Sequence, residues 1–220
     1  MPLALMAGEG ALPGAILRSL GPAAAGVTIC EMAGHPVSPH MLEGRRPLRF
    51  RLETLGSFIA TLSEIGVDRI CFAGRISRPA IDPTLIDAAT RPLVPQLAAA
   101  LQSGDDSALR QVAGFFETAG IEVVGVGDLA PDLFAPSGVL TQVQPDTRAR
   151  ADADRACDII AAMATVDVGQ ACVVASGQAL ALEAAPGTDW MLRSLVTSGQ
   201  APDWADARIA QARTGFGAED

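Results

Sequence analysis

The run Gly8-Glu9-Gly10-Ala11-Leu12-Pro13-Gly14 follows an apolar stretch, Leu3 to Ala7, and precedes Ile16, Leu17 and Leu20 at helical spacing. This is the order strand, glycine turn, helix. Glycines there permit a tight turn and let the backbone approach a phosphate at a helix N-terminus. The spacing is not GxGxxG, so a plain βα turn and a phosphate cradle both stay open. No acidic residue stands squarely at the end of the next strand; Glu31, which follows the apolar run Val27 to Cys30, is near the place of a ribose-binding carboxylate. A second group, Gly74-Arg75-Ile76-Ser77-Arg78-Pro79, follows the buried-strand pattern Asp68 to Ala73. Open α/β sheets place ligands at such strand ends, and Arg75 and Arg78 there either clamp phosphates bidentately or stand in solvent.

A third group lies in Gly169 to Arg193. Cys172 to Ala175 and Ala179 to Glu183 flank Ser176-Gly177, the pattern of a hairpin of two buried strands with a polar cluster at its end. Thr188 is expected to cap the helix that Gly187 introduces, with Asp189 in its first turn and Met191, Leu192 and Leu195 on its apolar face. Free N–H groups at that helix start suit an anion, although a capped helix packed on a hairpin explains the same residues. Asp105 and Asp106 open another helix, as capping acids or as groups that orient a metal-bound water. His35 and His40 flank prolines in a loop and are expected at the surface.

All 16 basic residues are arginine, and Lys, Asn and Tyr are absent, as a GC-rich genome would produce. Schiff-base and Walker-type lysine chemistry is thereby excluded. The net charge of −9 argues against nucleic acid, which rewards a basic face. Cys30, Cys71, Cys157 and Cys172 stand singly, without metal-ligand spacing, and are expected as buried free thiols. No apolar run approaches the roughly 20 residues of a membrane span and no basic flank marks a signal peptide, so a cytoplasmic protein is expected.

The elements that must position these groups alternate. Leu52 to Ile65 reads as a helix with Leu55, Phe58, Ile59 and Leu62 on one face. The chain turns helical again from Pro92, with Leu93, Leu97 and Leu101 on one stripe, and a further helix opens at Gly104 and runs through Phe116. Ile121 to Val126 reads as a strand, Asp146 to Met163 as a helix, and Trp204 to Arg213 as a last, weaker helix. The fold class expected is α/β, with a Rossmann-like N-terminal domain (1–136) of parallel strands wrapped by helices and a second α/β domain (137–220).

Taken in order, AGEGALP (Ala7 to Pro13), CFAGRISRP (Cys71 to Pro79), SGDDSALRQV (Ser103 to Val112), DVGQACVV (Asp167 to Val174) and ALEAAPGTDWMLR (Ala181 to Arg193) resemble one family. It is the metal-dependent UDP-2,3-diacylglucosamine pyrophosphatase of lipid A biosynthesis, the form unrelated to calcineurin-like phosphoesterases. The resemblance covers essentially the whole chain. It implies a dimeric two-domain enzyme that hydrolyses the diphosphate of UDP-2,3-diacylglucosamine to lipid X and UMP with a divalent metal, Mg²⁺ or Mn²⁺. It further implies binding or orienting roles for Gly8, Gly10, Leu12 and Pro13, for Arg75, Ser77 and Arg78, and for Gln170, Thr188 and Asp189. Family members continue with a segment QDxRxDLPxIG whose aspartate is associated with catalysis and metal; this chain ends at Asp220 without it, so that aspartate is expected beyond Asp220 and the second domain is expected to be incomplete. Acyl chains demand an apolar groove and contact with the membrane surface; with no strongly basic amphipathic helix visible in the sequence to supply it, that contact is expected to be weak. Two other classes compete: a nucleotide-binding oxidoreductase, which would need a better NAD(P) fingerprint, and a catalytically silent protein that binds the lipid nucleotide.

Overall fold

The computed structural model describes residues 2–77, 80–102, 105–197 and 208–211, and side chains at all of these except 105, 106, 197 and 208–211. Two compact units emerge, one on residues 2–102 and 107–135, the other on 105–106, 136–197 and 208–211.

The first unit alternates β1 (Leu3–Ala7), α1 (Leu12–Leu20), β2 (Thr28–Met32), a single turn α2 (Pro39–Leu42), β3 (Leu48–Phe50), α3 (Leu55–Glu64) and β4 (Arg69–Ala73). It continues through α4 (Val94–Gln102), α5 (Asp105–Thr118), β5 (Glu122–Val123) and α6 (Val126–Leu129). The strands form one parallel sheet in the order β3-β2-β1-β4-β5. Its central strand, Leu-Ala-Leu-Met-Ala, is buried throughout, as a parallel strand covered on both faces must be. Alternation along β1 divides the core. Ala4 and Met6 join Phe50, Phe58, Leu62 and Phe116 on one face, while Leu3, Leu5 and Ala7 join Ile16, Leu17 and Ala130 on the other. Phe50 stacks on Phe58 with ring centroids 4.2 Å apart.

The α/β class and the Rossmann-like sheet agree with the sequence reading. Its expected strand Ile121 to Val126 shrinks to Glu122–Val123, because Gly125 starts α6 and its N–H is taken by Asp128 Oδ2 at 2.9 Å. Neither β3 nor α2 is legible as a periodic run.

In the second unit, α7 (Thr147–Ala164) is capped by Asp146, which accepts from Ala149 N at 2.7 Å. The hairpin β6 (Ala171–Ala175) and β7 (Gln178–Leu182) turns at Ser176-Gly177, and α8 (Thr188–Thr197) follows. β6 is the buried centre of an antiparallel sheet ordered β7-β6-β8, and β7 is largely exposed. The side chains of β6 serve two small cores: Ala171 and Val173 meet Met191 and Leu195 of α8, while Cys172 and Val174 meet Ala156 of α7.

The third strand corrects the expected final helix. Arg208–Gln211 is β8, paired antiparallel to β6; the rest of Trp204 to Arg213 lies outside the described residues. An entirely apolar central strand needs a partner on each edge, and that pairing outweighs a weak local helical pattern. Three cysteines are buried as expected, but Cys157 is exposed on α7. Burial pushes the Cys30 and Cys71 thiols up to about 12, the latter aided by the charge of Asp128, which leaves both protonated.

Candidate functional site

The strand order runs from β1 outward through β2 to β3 on one side and through β4 to β5 on the other, so the loops after β1 and β4 leave the sheet where the order reverses. That is the crevice in which open α/β sheets bind ligands. Here the two loops are joined through their backbones. Gly8 N donates to Ala73 O at 2.8 Å, Glu9 N to Arg75 O at 2.8 Å, and Arg75 N to Glu9 O at 2.9 Å. Two glycines make this possible. A Cβ on Gly8 would lie 2.6 Å from Arg75 O, and one on Gly74, at φ +87°, 2.7 Å from Glu9 O. The loop-to-loop approach, and not only a ligand, therefore requires Gly8.

Gly10 differs, since its φ of +104° demands glycine while nothing lies near its missing Cβ. α1 then begins at Leu12 with buried Pro13 in its first turn, without a side-chain cap from Ala11 and without an acidic residue in that turn. Gly8, Gly10, Leu12, Pro13 and Arg75 are thus gathered at one sheet edge. Exposed Ser77 follows on the Arg75 loop, and Arg78 lies outside the described residues.

Glu31 is engaged within its own unit. It is buried at the end of β2, accepts from Val37 N at 2.9 Å and from Arg49 Nε at 2.7 Å, and so braces its own loop. His35 overturns the expectation of a surface residue. It is buried, with Nδ1 3.7 Å from Glu9 Oε1 on the glycine turn and without a hydrogen-bond partner among the described residues. His40 is exposed as expected.

Two cavities flank this edge. One, of about 350 Å³, is walled by Leu52, Ile81, Ile86, Leu97 and Leu101 and is almost wholly apolar. Its floor is locked by buried Glu53, which accepts from Asp82 N at 3.0 Å and Arg51 Nε at 3.3 Å. The other, of about 440 Å³, is polar and lies between α1 and α2, beside Gly10 and Ala11.

In the second unit the centre is Glu183, a residue that sequence reasoning passed over. Its carboxylate accepts from Gln170 N at 2.9 Å and from the Thr188 hydroxyl. Gly169 lets β6 start against Glu183, where a Cβ would collide with the Glu183 backbone. Thr188 is accordingly the first helical residue, not the cap, because its hydroxyl serves Glu183. Asp189 sits in the first turn as expected, exposed and 3.7 Å from Arg193 one turn on. Buried Asp152 was also missed: it accepts from Ser176 N at 3.0 Å and Gly177 N at 2.6 Å and so holds the hairpin turn. An acid midway along a polar-faced helix gives no local sign of that reach. Among the described residues, no three His, Cys, Asp or Glu side chains come together as metal ligands.

A parallel sheet of order 3-2-1-4-5 with a glycine turn bridged to an arginine loop at its switch point defines a Rossmann-like α/β protein, here joined to a smaller antiparallel unit. The chain belongs to the LpxI family: residues 2–133 match the LpxI N-terminal domain and residues 136–209 the LpxI C-terminal domain. It is 35% identical over 191 residues to the UDP-2,3-diacylglucosamine pyrophosphatase LpxI of Caulobacter vibrioides, covering 87% of this chain and 68% of that protein. A solved structure, glycinamide-RNase-transformylase T from Mycobacterium tuberculosis, aligns with 96% of this chain at 14% identity and a TM-score of 0.25. This chain spans about half (48%) of that protein, and at that score the likeness carries no weight.

Proposed function

We propose that this protein hydrolyses the diphosphate of UDP-2,3-diacylglucosamine, releasing lipid X and UMP, as a step of lipid A biosynthesis. The observation that carries the reading is the bridge between the glycine turn and the Arg75 loop at the switch point, in a chain of this family. In the proposal, the uncapped first turn of α1 and the Arg75 guanidinium offset charge on the diphosphate, the former through backbone N–H groups and the latter through charge-assisted bonds. Ser77 and Arg78 extend that loop's contacts. In the second unit Gln170, Thr188 and Asp189 orient the ligand, with Glu183 setting the positions of the first two. The apolar cavity beside Leu97 has the chemistry an acyl chain requires.

A water attacking phosphorus in line needs no covalent nucleophile from the protein. The described residues supply no metal cluster, so no step is assigned to a cation, and dependence on Mg²⁺ or Mn²⁺ enters as a property to be measured. The reading includes a homodimer working in the cytoplasm in weak contact with the membrane surface. Among the described residues no helix is long and apolar enough to cross a membrane.

The test is incubation with UDP-2,3-diacylglucosamine and identification of products by mass spectrometry, beside thermal-shift titrations with UMP, lipid X and NADH. Lipid X and UMP are expected, with stabilisation by either product. Stabilisation by NADH alone would favour an oxidoreductase, and binding without turnover a catalytically silent protein.

A further inference from the structure

The contact between His35 and Glu9 joins a rigidly held loop to the glycine turn, and it is incomplete. The histidine's own loop is fixed on both sides. Ala33 N donates to Phe50 O at 2.8 Å and His35 N to Met32 O at 2.9 Å, while Val37 N donates to the buried Glu31 carboxylate at 2.9 Å and the Val37 side chain is part of the core. On this loop the imidazole is only 9% exposed, and it faces Glu9, whose side chain is 52% exposed. Nδ1 lies 3.7 Å from Glu9 Oε1 and has no hydrogen-bond partner among the described residues. That separation is too long for a hydrogen bond. Buried polar atoms are ordinarily satisfied, so packing alone does not account for a buried imidazole nitrogen that stops short of a carboxylate.

Glu9 is the residue through which the two loops of the switch point are joined. Its N–H donates to Arg75 O at 2.8 Å and its carbonyl accepts from Arg75 N at 2.9 Å, so a shift of Glu9 is a shift of the Arg75 loop. The next residue, Gly10, has nothing within 4 Å of its missing Cβ, and the turn is open on that side. Other charged groups around the histidine are paired or face solvent. Glu31 pairs with Arg49 at 2.7 Å, while the side chains of His40 and Arg75 are exposed. Histidine is the side chain whose charge changes near neutral pH. With a proton taken from solvent, the imidazole becomes a charged donor beside the Glu9 carboxylate, and charge-assisted bonds of this kind draw in to about 2.7–2.9 Å.

We propose that His35 is a proton-dependent positioning residue: on protonation it closes onto Glu9, pins the glycine turn and with it the Arg75 loop, and so raises ligand affinity as pH falls from about 8 to about 6. It acts through Glu9 and touches no reacting atom. The proposal rests on the reading of this sheet edge as the place that holds the diphosphate, and adds how the shape of that edge is controlled.

Amide hydrogen exchange and steady-state kinetics on the whole chain, with Mn²⁺ or Mg²⁺ present, test it on wild type, His35→Asn and Glu9→Gln between pH 8 and pH 6. His35→Asn keeps an amide donor near the Nδ1 position without the charge. Glu9→Gln removes the partner's charge from the half-exposed side, which keeps the test open should the buried substitution fold poorly. In wild type the protection factors of the Glu9 and Arg75 amides, corrected for the intrinsic pH dependence of exchange, should rise at least threefold as pH falls. Over the same range KM for UDP-2,3-diacylglucosamine should fall at least threefold, while kcat follows the same pH profile in all three proteins. Neither the protection nor the KM change should occur in the variants. A diphosphate diester keeps its charge over this range, so the substrate does not itself supply the step. Wild type that lacks either response, or a folded variant that retains one, overturns the positioning role and leaves the enzymatic reading standing. Wild type that releases no lipid X or UMP at any pH overturns the enzymatic reading, and amide protection then decides whether His35 pins the turn.

Discussion

Arg75 and Gly8 show two ways in which a single residue matters at the switch point. The Arg75 backbone ties two loops together, while its exposed side chain is free of that duty. Arg75→Ala should therefore leave the thermal midpoint within a degree or two while weakening UDP-2,3-diacylglucosamine binding by about 1.5–3 kcal/mol, the worth of a charge-assisted bond. Calorimetry checks it, and an unchanged dissociation constant would reduce Arg75 to a surface charge. Gly8→Ala should behave oppositely. Its Cβ would enter the Arg75 carbonyl at 2.6 Å, so the fold should lose roughly 1–3 kcal/mol in urea unfolding, as overpacked sites do. The glycine turn and the arginine loop were both legible from residue type and position after a strand. Their bridge was not, because local sequence does not record which strand ends adjoin. His35 was misplaced for a similar reason: a proline-flanked histidine reads as surface, and the Glu9 it lies against comes from the glycine turn after β1.

At the scale of elements, periodicity revealed those that bury a full face. Leu55, Phe58, Ile59 and Leu62 are all buried on α3 as their spacing requires, and β1, β2, β4 and the hairpin stand where apolar runs put them. Edge elements failed. β3 has three residues and α2 four, too few to establish a period, and β8 is a strand only because β6 lacks a second edge. The link from α3 to α4 depends on carboxylates instead. Burial pushes Glu53 up, but N–H donors at Asp82 and Glu53 and the Arg51 guanidinium outweigh it and leave the group below its ordinary range. The Thr84 hydroxyl and N–H lower Asp82. Burial also opposes ionisation of Asp87, and donors from Ser57, Thr90 and Ala89 overcome it. A carboxylate lower in the folded state stabilises fully above its unfolded pKa, and that stability disappears as pH falls through the folded value. Thermal midpoints should therefore be flat from pH 7 to about 5 and drop below about 4, with a smaller drop in Glu53→Gln. Equal drops in both proteins would show that this link does not govern acid stability. In the second unit, Asp152→Ala strips the acceptor from two hairpin N–H groups and should cost about 2–3 kcal/mol by urea unfolding.

At the scale of the molecule, charge sets the main constraint on the proposed chemistry. A chain of net −9 with no lysine must handle a diphosphate whose charge grows on the leaving phosphate during in-line attack. The basic group at the switch point, Arg75, lies in the first unit and suits holding the ground state. The metal dependence implied by the family resemblance is a proposal here: a divalent cation would add stabilisation of the developing charge without proton transfer. Binding and turnover should therefore separate. With chelator present, UMP should still bind within about threefold of its affinity in Mn²⁺ or Mg²⁺, whereas UMP release from UDP-2,3-diacylglucosamine should fall by two orders of magnitude or more and return when metal is restored. Calorimetry and a product-release assay on the same preparation measure the two quantities. Turnover that survives chelation at full rate would assign the whole electrostatic task to arginines and helix ends, and the metal-dependent reading would be wrong.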